Sequence, residues 1–283
     1  MRTGAGRLRA VFTVAHLTLA EARRRRILSA ALLLGSAFVA LFGVGLHFVA
    51  REIPTHGSPA QQRFTLSFVV MAALYAANFL IVMTSVLVTI DTLSGEIASG
   101  VIEALCTKPV PRWAVATGKW LGCWAILALY ATLLCGGVLA VARLVAGYTP
   151  PNTARGLPLL LLEGTVLMTL ALAGGTRLST LANGITVFGL YGLAFIGGWM
   201  EQIGTFAGNA AARYIGISAS LLVPSESLWQ LASHHMQPPL VRDLGIGPFA
   251  PVSVPSPAMV GWAVGYVVLM LALALHLFRT RDL

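Results

Sequence analysis

The sequence predicts an all-α polytopic membrane protein with about six transmembrane helices, and three observations lead there. Only 10% of its 283 residues are charged and 57% are hydrophobic, whereas a soluble domain needs about 25% charged residues to coat a water-facing surface. The apolar residues fall into runs that meet the roughly 20 residues a helix needs to cross a hydrocarbon core. These runs are continuous, whereas the strands of a spanning β-barrel alternate apolar and polar residues.

The N-terminal stretch through Arg26 contains "LRAVFTVAHLTLAEARRRR", in which Leu8, Val11, Phe12, Ala15 and Leu19 recur at helical spacing. Residues 1–26 therefore read as an amphipathic helix lying in the headgroup region, with Arg23, Arg24, Arg25 and Arg26 as an interfacial anchor for anionic lipid. The first long apolar run begins only after Arg26, and no small-residue cleavage site follows, so the stretch is not a cleavable signal peptide. The spans are expected at about 27–50, 64–90, 114–147, 157–177, 184–200 and 257–279. The third is long enough to tilt or protrude.

Charge sets the expected orientation. With the N-terminus inside, Arg2, Arg7, Arg9, Arg23–Arg26, Lys108, Arg112, Lys119, Arg177, Arg279 and Arg281 lie on the inner side. Arg51, Arg63, Arg143, Arg155, Arg213 and Arg242 lie outside. The excess inside places both termini in the cytoplasm. The net charge of +9 is thus topology-setting charge beside hydrophobic runs, and nucleic acid is not an expected partner. Cys106, Cys123 and Cys135 form no CxxC pair, which excludes a disulfide framework and leaves them as packing thiols.

On the second span Met71, Tyr75, Asn78, Val82, Ser85 and Thr89 share one face. A polar stripe on a spanning helix faces protein or a cavity. Tyr75, Asn78, Ser85 and Thr89 are therefore candidates for a translocation path or for polar contacts at a helix or dimer interface. Glu163 and Arg177 are placed to snorkel from the ends of the fourth span. Gly118/Gly122 and Gly261/Gly265 have the spacing that permits close helix approach. Residues 201–256 form a long outer segment, apolar enough in its middle for short re-entrant helices, and Glu201 marks its boundary.

The stretch "DTLSGEIASGVIEALCTKPVPRW", residues 91–113, interrupts this apolar pattern. A charge at the bilayer centre costs about 3 kcal/mol, so Asp91, Glu96 and Glu103 predict that the stretch leaves the membrane. Ile97, Val101, Ile102 and Leu105 make an apolar stripe, and Pro109 and Pro111 end the helix. A short amphipathic helix is expected at the cytoplasmic surface, suited to pressing on a soluble partner.

"GEIASGVIEALCTKPVPRWAVATGKWLG" resembles the permease subunits of type-2 ABC transporters, with Gly95, Glu96, Gly100, Glu103, Leu105, Pro109, Arg112 and Lys119 where that family's signature has them. The N-terminal helix, the six-span layout and the closing "FRTRDL" extend the likeness, and the permeases of nitrous-oxide-reductase maturation are a similar subgroup. The resemblance implies that residues 91–113 hold a coupling helix docking on a separate ATPase. Glu96 and Glu103 would face that ATPase or brace the helix, and Pro109 would end it. Arg112 and Lys119 would anchor its far end at the headgroups.

It further implies a single transmembrane domain over residues 1–283, in a bacterial inner membrane. The partners would be a cytoplasmic ABC ATPase subunit dimer, a second permease copy, membrane lipid and an outer-side or periplasmic protein. The chain itself would hold no cofactor, and the ATPase would bind ATP and Mg. Consistent with that division, the chain has no phosphate loop: Gly118-Lys119 is followed by Trp120, and Trp113 stands where the first glycine belongs.

Two rival readings come from other classes. A non-transporting membrane scaffold shares the span pattern, and dependence of its activity on ATP would separate the two. An intramembrane enzyme lacks support, because there is no HExxH and "GISAS" at Gly216 lacks the second glycine. His234 and His235 would need further ligands to hold a metal. No catalytic residue and no metal site is expected.

Overall fold

The computed structural model describes residues 4–24, 26–52, 58–100, 111–244, 249 and 251–281, and among them every regular element is helical. The elements are α1 (Gly4–Arg24), α2 (Arg26–Glu52), α3 (Pro59–Ala98), α4 (Arg112–Ala146), α5 (Thr153–Gly174), α6 (Thr180–Phe206), α7 (Ala210–Leu222), α8 (Ser225–Met236), α9 (Pro239–Leu244) and α10 (Ala258–Arg279). Six of them, α2 to α6 and α10, are long and apolar enough to cross a membrane. The six predicted spans each fall on one of these helices.

The six run alternately between two ends of the bundle. One end, called here the charged end, gathers the last turn of α3 and the first of α4. The far end holds the α2–α3 and α4–α5 connections and helices α7 to α9. Arg51, Arg63, Arg143, Arg155, Arg213 and Arg242, the cations expected on one side, all belong to the far end.

Local sequence sets the helix boundaries. Ser58 caps α3 by accepting from the Gln61 amide at 3.2 Å, with Pro59 in the first turn. Gly147, at φ 62°, ends α4 by turning its amide and that of Tyr148 back onto Arg143 and Ala142. Ser179 and Asn209 cap α6 and α7.

Residues 91–98 are helical as the end of α3, not as the start of a separate short helix. α3 does not stop near Ile90 but continues unbroken to Ala98, so Asp91 and Glu96 belong to a 40-residue helix. It ends in a turn in which Gly100 adopts φ 73°. Polar residues of this extension meet a neighbouring helix: the Thr180 hydroxyl at the start of α6 donates to Asp91 at 3.1 Å and pairs with Ser94 at 2.9 Å. Residues 101–110, with Glu103 and Pro109, lie outside the described residues.

α5 is the central helix. Its most apolar stretch is 72% buried, against 11% for α2 and 22% for α10 at the periphery. Around it pack α3, α4, α6, α8 and α10. The core is built from Leu74, Ile81, Leu127, Leu134, Leu160 and Leu167 and their neighbours. Cys123 and Cys135 are buried in that core, and neither is in a disulfide with another described residue.

Close approaches occur where glycine removes a side chain. α1 lies along the start of α4: a Cβ at Gly118 would come within 2.6 Å of Val14, and one at Gly122 within 2.7 Å of Thr18. α1 thus buries Val11, Val14, Thr18 and Ala22 against α4 and leaves Leu8, Phe12 and Leu17 exposed, an apolar face turned away from the protein. The other predicted glycine pair, Gly261/Gly265, has open space around it.

α6 and α7 form an antiparallel hairpin whose seam is Gly197, Gly204 and Gly216. A Cβ on Gly216 would stand 2.5 Å from the Gly197 carbonyl and 2.6 Å from the Glu201 Cβ. Helices of 13 and 12 residues are about 20 Å long and cannot cross the bilayer. α8 does not rest on the surface either: it is buried from Ser225 to Ser233 against α5 and α6.

Gly216→Val is expected to lower the stability of the purified chain by about 1–3 kcal/mol through overpacking, read as a fall in thermal midpoint in detergent. Gly265→Val, facing open space, should leave the midpoint unchanged.

Candidate functional site

Three groups of polar residues sit at different levels of the bundle. At the charged end, Glu96 in the last turns of α3 forms an ion pair with Lys119 of α4, and the two side chains are only 11% and 5% exposed. Lys119 had been expected to anchor at the headgroups. Its burial corrects that: Gly118 and Gly122 draw α1 over this face of α4, and the lysine is left to find its counter-charge within the protein. The packing of the end of α3 on the start of α4 brings the two charges together from 23 positions apart.

Arg112 is placed differently. It begins α4 and donates to the carbonyls of Arg281 at 2.7 Å and Arg279 at 3.3 Å, holding the C-terminal end of α10. Arg281 in turn donates to the Thr176 carbonyl, and Arg177 donates to Thr280 at 3.3 Å. α3, α4, α5 and α10 are therefore tied together at this end by side chains. Of the predicted anchor, Arg23 is exposed; the side chains of Arg24 and Arg26 and all of Arg25 lie outside the described residues.

The second group is in the middle. Asn78 donates to Glu163 at 3.0 Å, and both are buried, at 2% and 0% exposure. Glu163 was expected to snorkel from the end of its span. Ten residues of α5 precede it, however, so it lies about 15 Å from the nearer helix end, beyond the reach of a glutamate side chain. Asn78 Oδ1 and Glu163 Oε1 have no hydrogen-bond partner among the described residues.

The predicted polar stripe turns inward within one chain. Ser85 and Thr89 are buried and bond to carbonyls of their own helix. Tyr75 sits at its far-end limit, with ring centroids 5.0 Å from Trp229 and 5.6 Å from Phe249.

The third group lies above Tyr75. A cavity of about 270 Å³ is lined by Tyr75, Trp199, Glu226, Trp229, Gln230 and Phe249, with further residues of α6 and of the segment before α10. Gln202 is the hub of its rim: it donates to Gln230 at 3.1 Å and to the Ser253 carbonyl at 3.0 Å, and accepts from the Val252 and Ser253 amides at 2.7 and 2.9 Å. Glu201, buried in the body of α6, accepts from the Ser253 hydroxyl at 2.7 Å. Glu226 packs directly on α6 at Gly198, where a Cβ would fall 2.2 Å from its Cγ. Burial pushes the Glu226 carboxyl up to about 8, against a smaller opposing effect of its hydrogen bond with Gln230.

His234 and His235, with ring centroids 5.9 Å apart, line an open groove of about 470 Å³ beside Arg155. Burial and the charges of Arg155 and Arg242 lower the His235 pKa, which disfavours its charged form. Among the described residues no three metal-ligating side chains gather.

Sequence reasoning named Glu96, Lys119, Tyr75 and Asn78, and gave Glu163 only a snorkelling role. It passed over Glu226, Gln230 and Gln202. Two signals were present: a carboxylate centred in an unbroken apolar run, and a Glu226–Gln230 pair one helical turn apart within an apolar segment.

In comparison with known proteins, a family model described as "ABC-2 family transporter protein" matches residues 12–283. No curated protein matches the chain.

Asn78→Leu leaves the Glu163 carboxyl buried without its donor and should cost about 1–3 kcal/mol; adding Glu163→Leu should recover most of that. Equilibrium unfolding of the three variants in detergent checks it. A second expectation concerns pH. Glu226 holds its proton in the folded state up to about 8 but releases it near the ordinary carboxylate value when unfolded. Stability is then greatest below that ordinary value and falls as pH rises to about 8. Glu226→Gln should flatten this part of the curve of thermal midpoint against pH.

Proposed function

Because this chain belongs to the ABC-2 family of transporter proteins, we propose that it is a membrane-spanning permease subunit working as a dimer with two separate ATPase subunits, to export a substrate or transmit force to an outer-side partner. The family is that of the transmembrane component, and an ABC ATPase is the partner it implies. The charged end then faces the cytoplasm, with both termini there, and the coupling segment within residues 91–113 makes the contact with the ATPase. The permeases of nitrous-oxide-reductase maturation are a similar subgroup, and no cargo is carried over from that likeness.

The observation that supports this reading best is the buried Glu96–Lys119 ion pair. It joins the last turns of α3 to the early turns of α4, the two helices on either side of the ATPase-facing segment. A push on that segment acts on both helices as one body. Arg112 adds α10 to that body through the Arg279 and Arg281 carbonyls. Nucleotide-driven closure of the ATPases is then felt by three spans at once, and a ligand shifts the resulting equilibrium only by its differential affinity for the two states. The polar stripe through Tyr75, Asn78, Ser85 and Thr89 is the proposed path-side element.

Glu96→Lys places two ammonium groups together in a buried site, where removal of one partner of an ion pair costs about 3–5 kcal/mol. The variant should lose both co-purification of the ATPase from mild detergent and permease-dependent ATP hydrolysis. The charge-swapped double variant Glu96→Lys/Lys119→Glu should regain both. If no ATPase accompanies the native chain under several gentle conditions, the scaffold reading replaces this one.

A further inference from the structure

We propose that the far-end cavity is a binding site for an organic ammonium cation bearing an apolar body, held between aromatic rings and the Glu226 carboxylate. The cavity, about 270 Å³, is near the lower limit of small-molecule sites. Tyr75 is tilted against both of its ring neighbours, by 52° for Trp229 and 50° for Phe249. Rings tilted in this way present faces on more than one side, and an aromatic face attracts a cation.

Glu226 lines the same space with 6% exposure. Among the described residues no cationic side chain pairs with it; its hydrogen-bond partner is the neutral Gln230. A buried carboxylate without a counter-charge is costly, and a ligand that brings the cation removes that cost. A neutral ligand of the same shape gains from the rings alone. An anion meets Glu226, and beyond Tyr75 it meets Glu163, which is one helical turn deeper through Asn78.

The mouth of the cavity selects the apolar body. Trp199, Ile203 and Phe206 line it and are themselves 45%, 60% and 84% exposed, so the cavity opens across an apolar rim at the end of α6. A ligand arriving from the bilayer interface meets that rim first. Gly198 keeps the space available, because any larger residue there would displace Glu226. Service of the cavity as a loading site for cargo rests on the permease reading; the binding itself does not.

The probe is benzyltrimethylammonium, with neopentylbenzene as its uncharged isostere, titrated by calorimetry above pH 8 onto the full chain in phosphatidylglycerol nanodiscs. The ammonium should bind saturably and the isostere about tenfold or more weaker, the loss of the charge-dependent part. Glu226→Gln should weaken the ammonium by about tenfold, and Trp199→Leu, at a half-exposed position, by several-fold with an unchanged thermal midpoint. Equal affinity for the two probes, or an unchanged affinity in Glu226→Gln, overturns the proposal. Adding phosphatidylcholine distinguishes the source: competition identifies a lipid headgroup as the ammonium, and its absence identifies a free cation. No ATPase is present in the assay, so its failure leaves the permease reading intact, and failure to capture an ATPase leaves the site intact.

Discussion

A polar side chain that enters this bundle must find its partner inside it, because hydrocarbon offers none. That constraint organises the molecule at three levels. At the charged end Glu96 meets Lys119, and Arg112 and Arg281 meet free carbonyls at the ends of α5 and α10. In the middle Asn78 meets Glu163. At the far end Gln202 joins α6, α8 and the segment before α10 into one network. Remaining hydroxyls, such as those of Thr89, Thr165 and Thr169, turn back on their own helices.

Glycine makes these meetings possible by letting backbones approach. Gly118 and Gly122 admit α1 to α4, and Gly197, Gly204 and Gly216 close α6 on α7. Gly156 leaves room for Met236, where a Cβ would stand 2.5 Å from its Cγ. The short helices α7 and α8 are thereby folded onto the spans, and α8 supplies Glu226, Trp229, Gln230 and Ser233 to the cavity wall. The same residue type at 261 and 265 does nothing of the kind, since α10 turns those positions outward.

One helix touches all three levels. α3 carries Glu96 near one end, Asn78 at its middle and Tyr75 one turn further on. Some 21 residues separate Glu96 from Tyr75, about 30 Å of continuous helix. A displacement applied at the charged end therefore has a rigid route to the cavity wall, while Trp120 ties α4 to the central helix by donating to Thr169 of α5 at 2.8 Å.

The sequence by itself determined the fold class and the six spans, because both depend on run length and composition, which are properties of consecutive residues. It also marked Glu96 and Lys119, through a motif, and Asn78 and Tyr75, through helical spacing. Only the tertiary structure decided what these residues meet. Glu96 and Lys119 are 23 positions apart, and Asn78 and Glu163 are 85 apart, so no local pattern links either pair. Glu163 misled for the same reason: its neighbours in sequence are apolar, and its position at mid-helix matters only because α3 brings an amide to it. The continuation of α3 past Ile90 was equally hidden, since carboxylates end a span when they face lipid and are tolerated when Thr180 and Lys119 lie opposite. The cavity depends on side chains from α3, α6, α8 and the segment before α10, and exists only once those elements are packed.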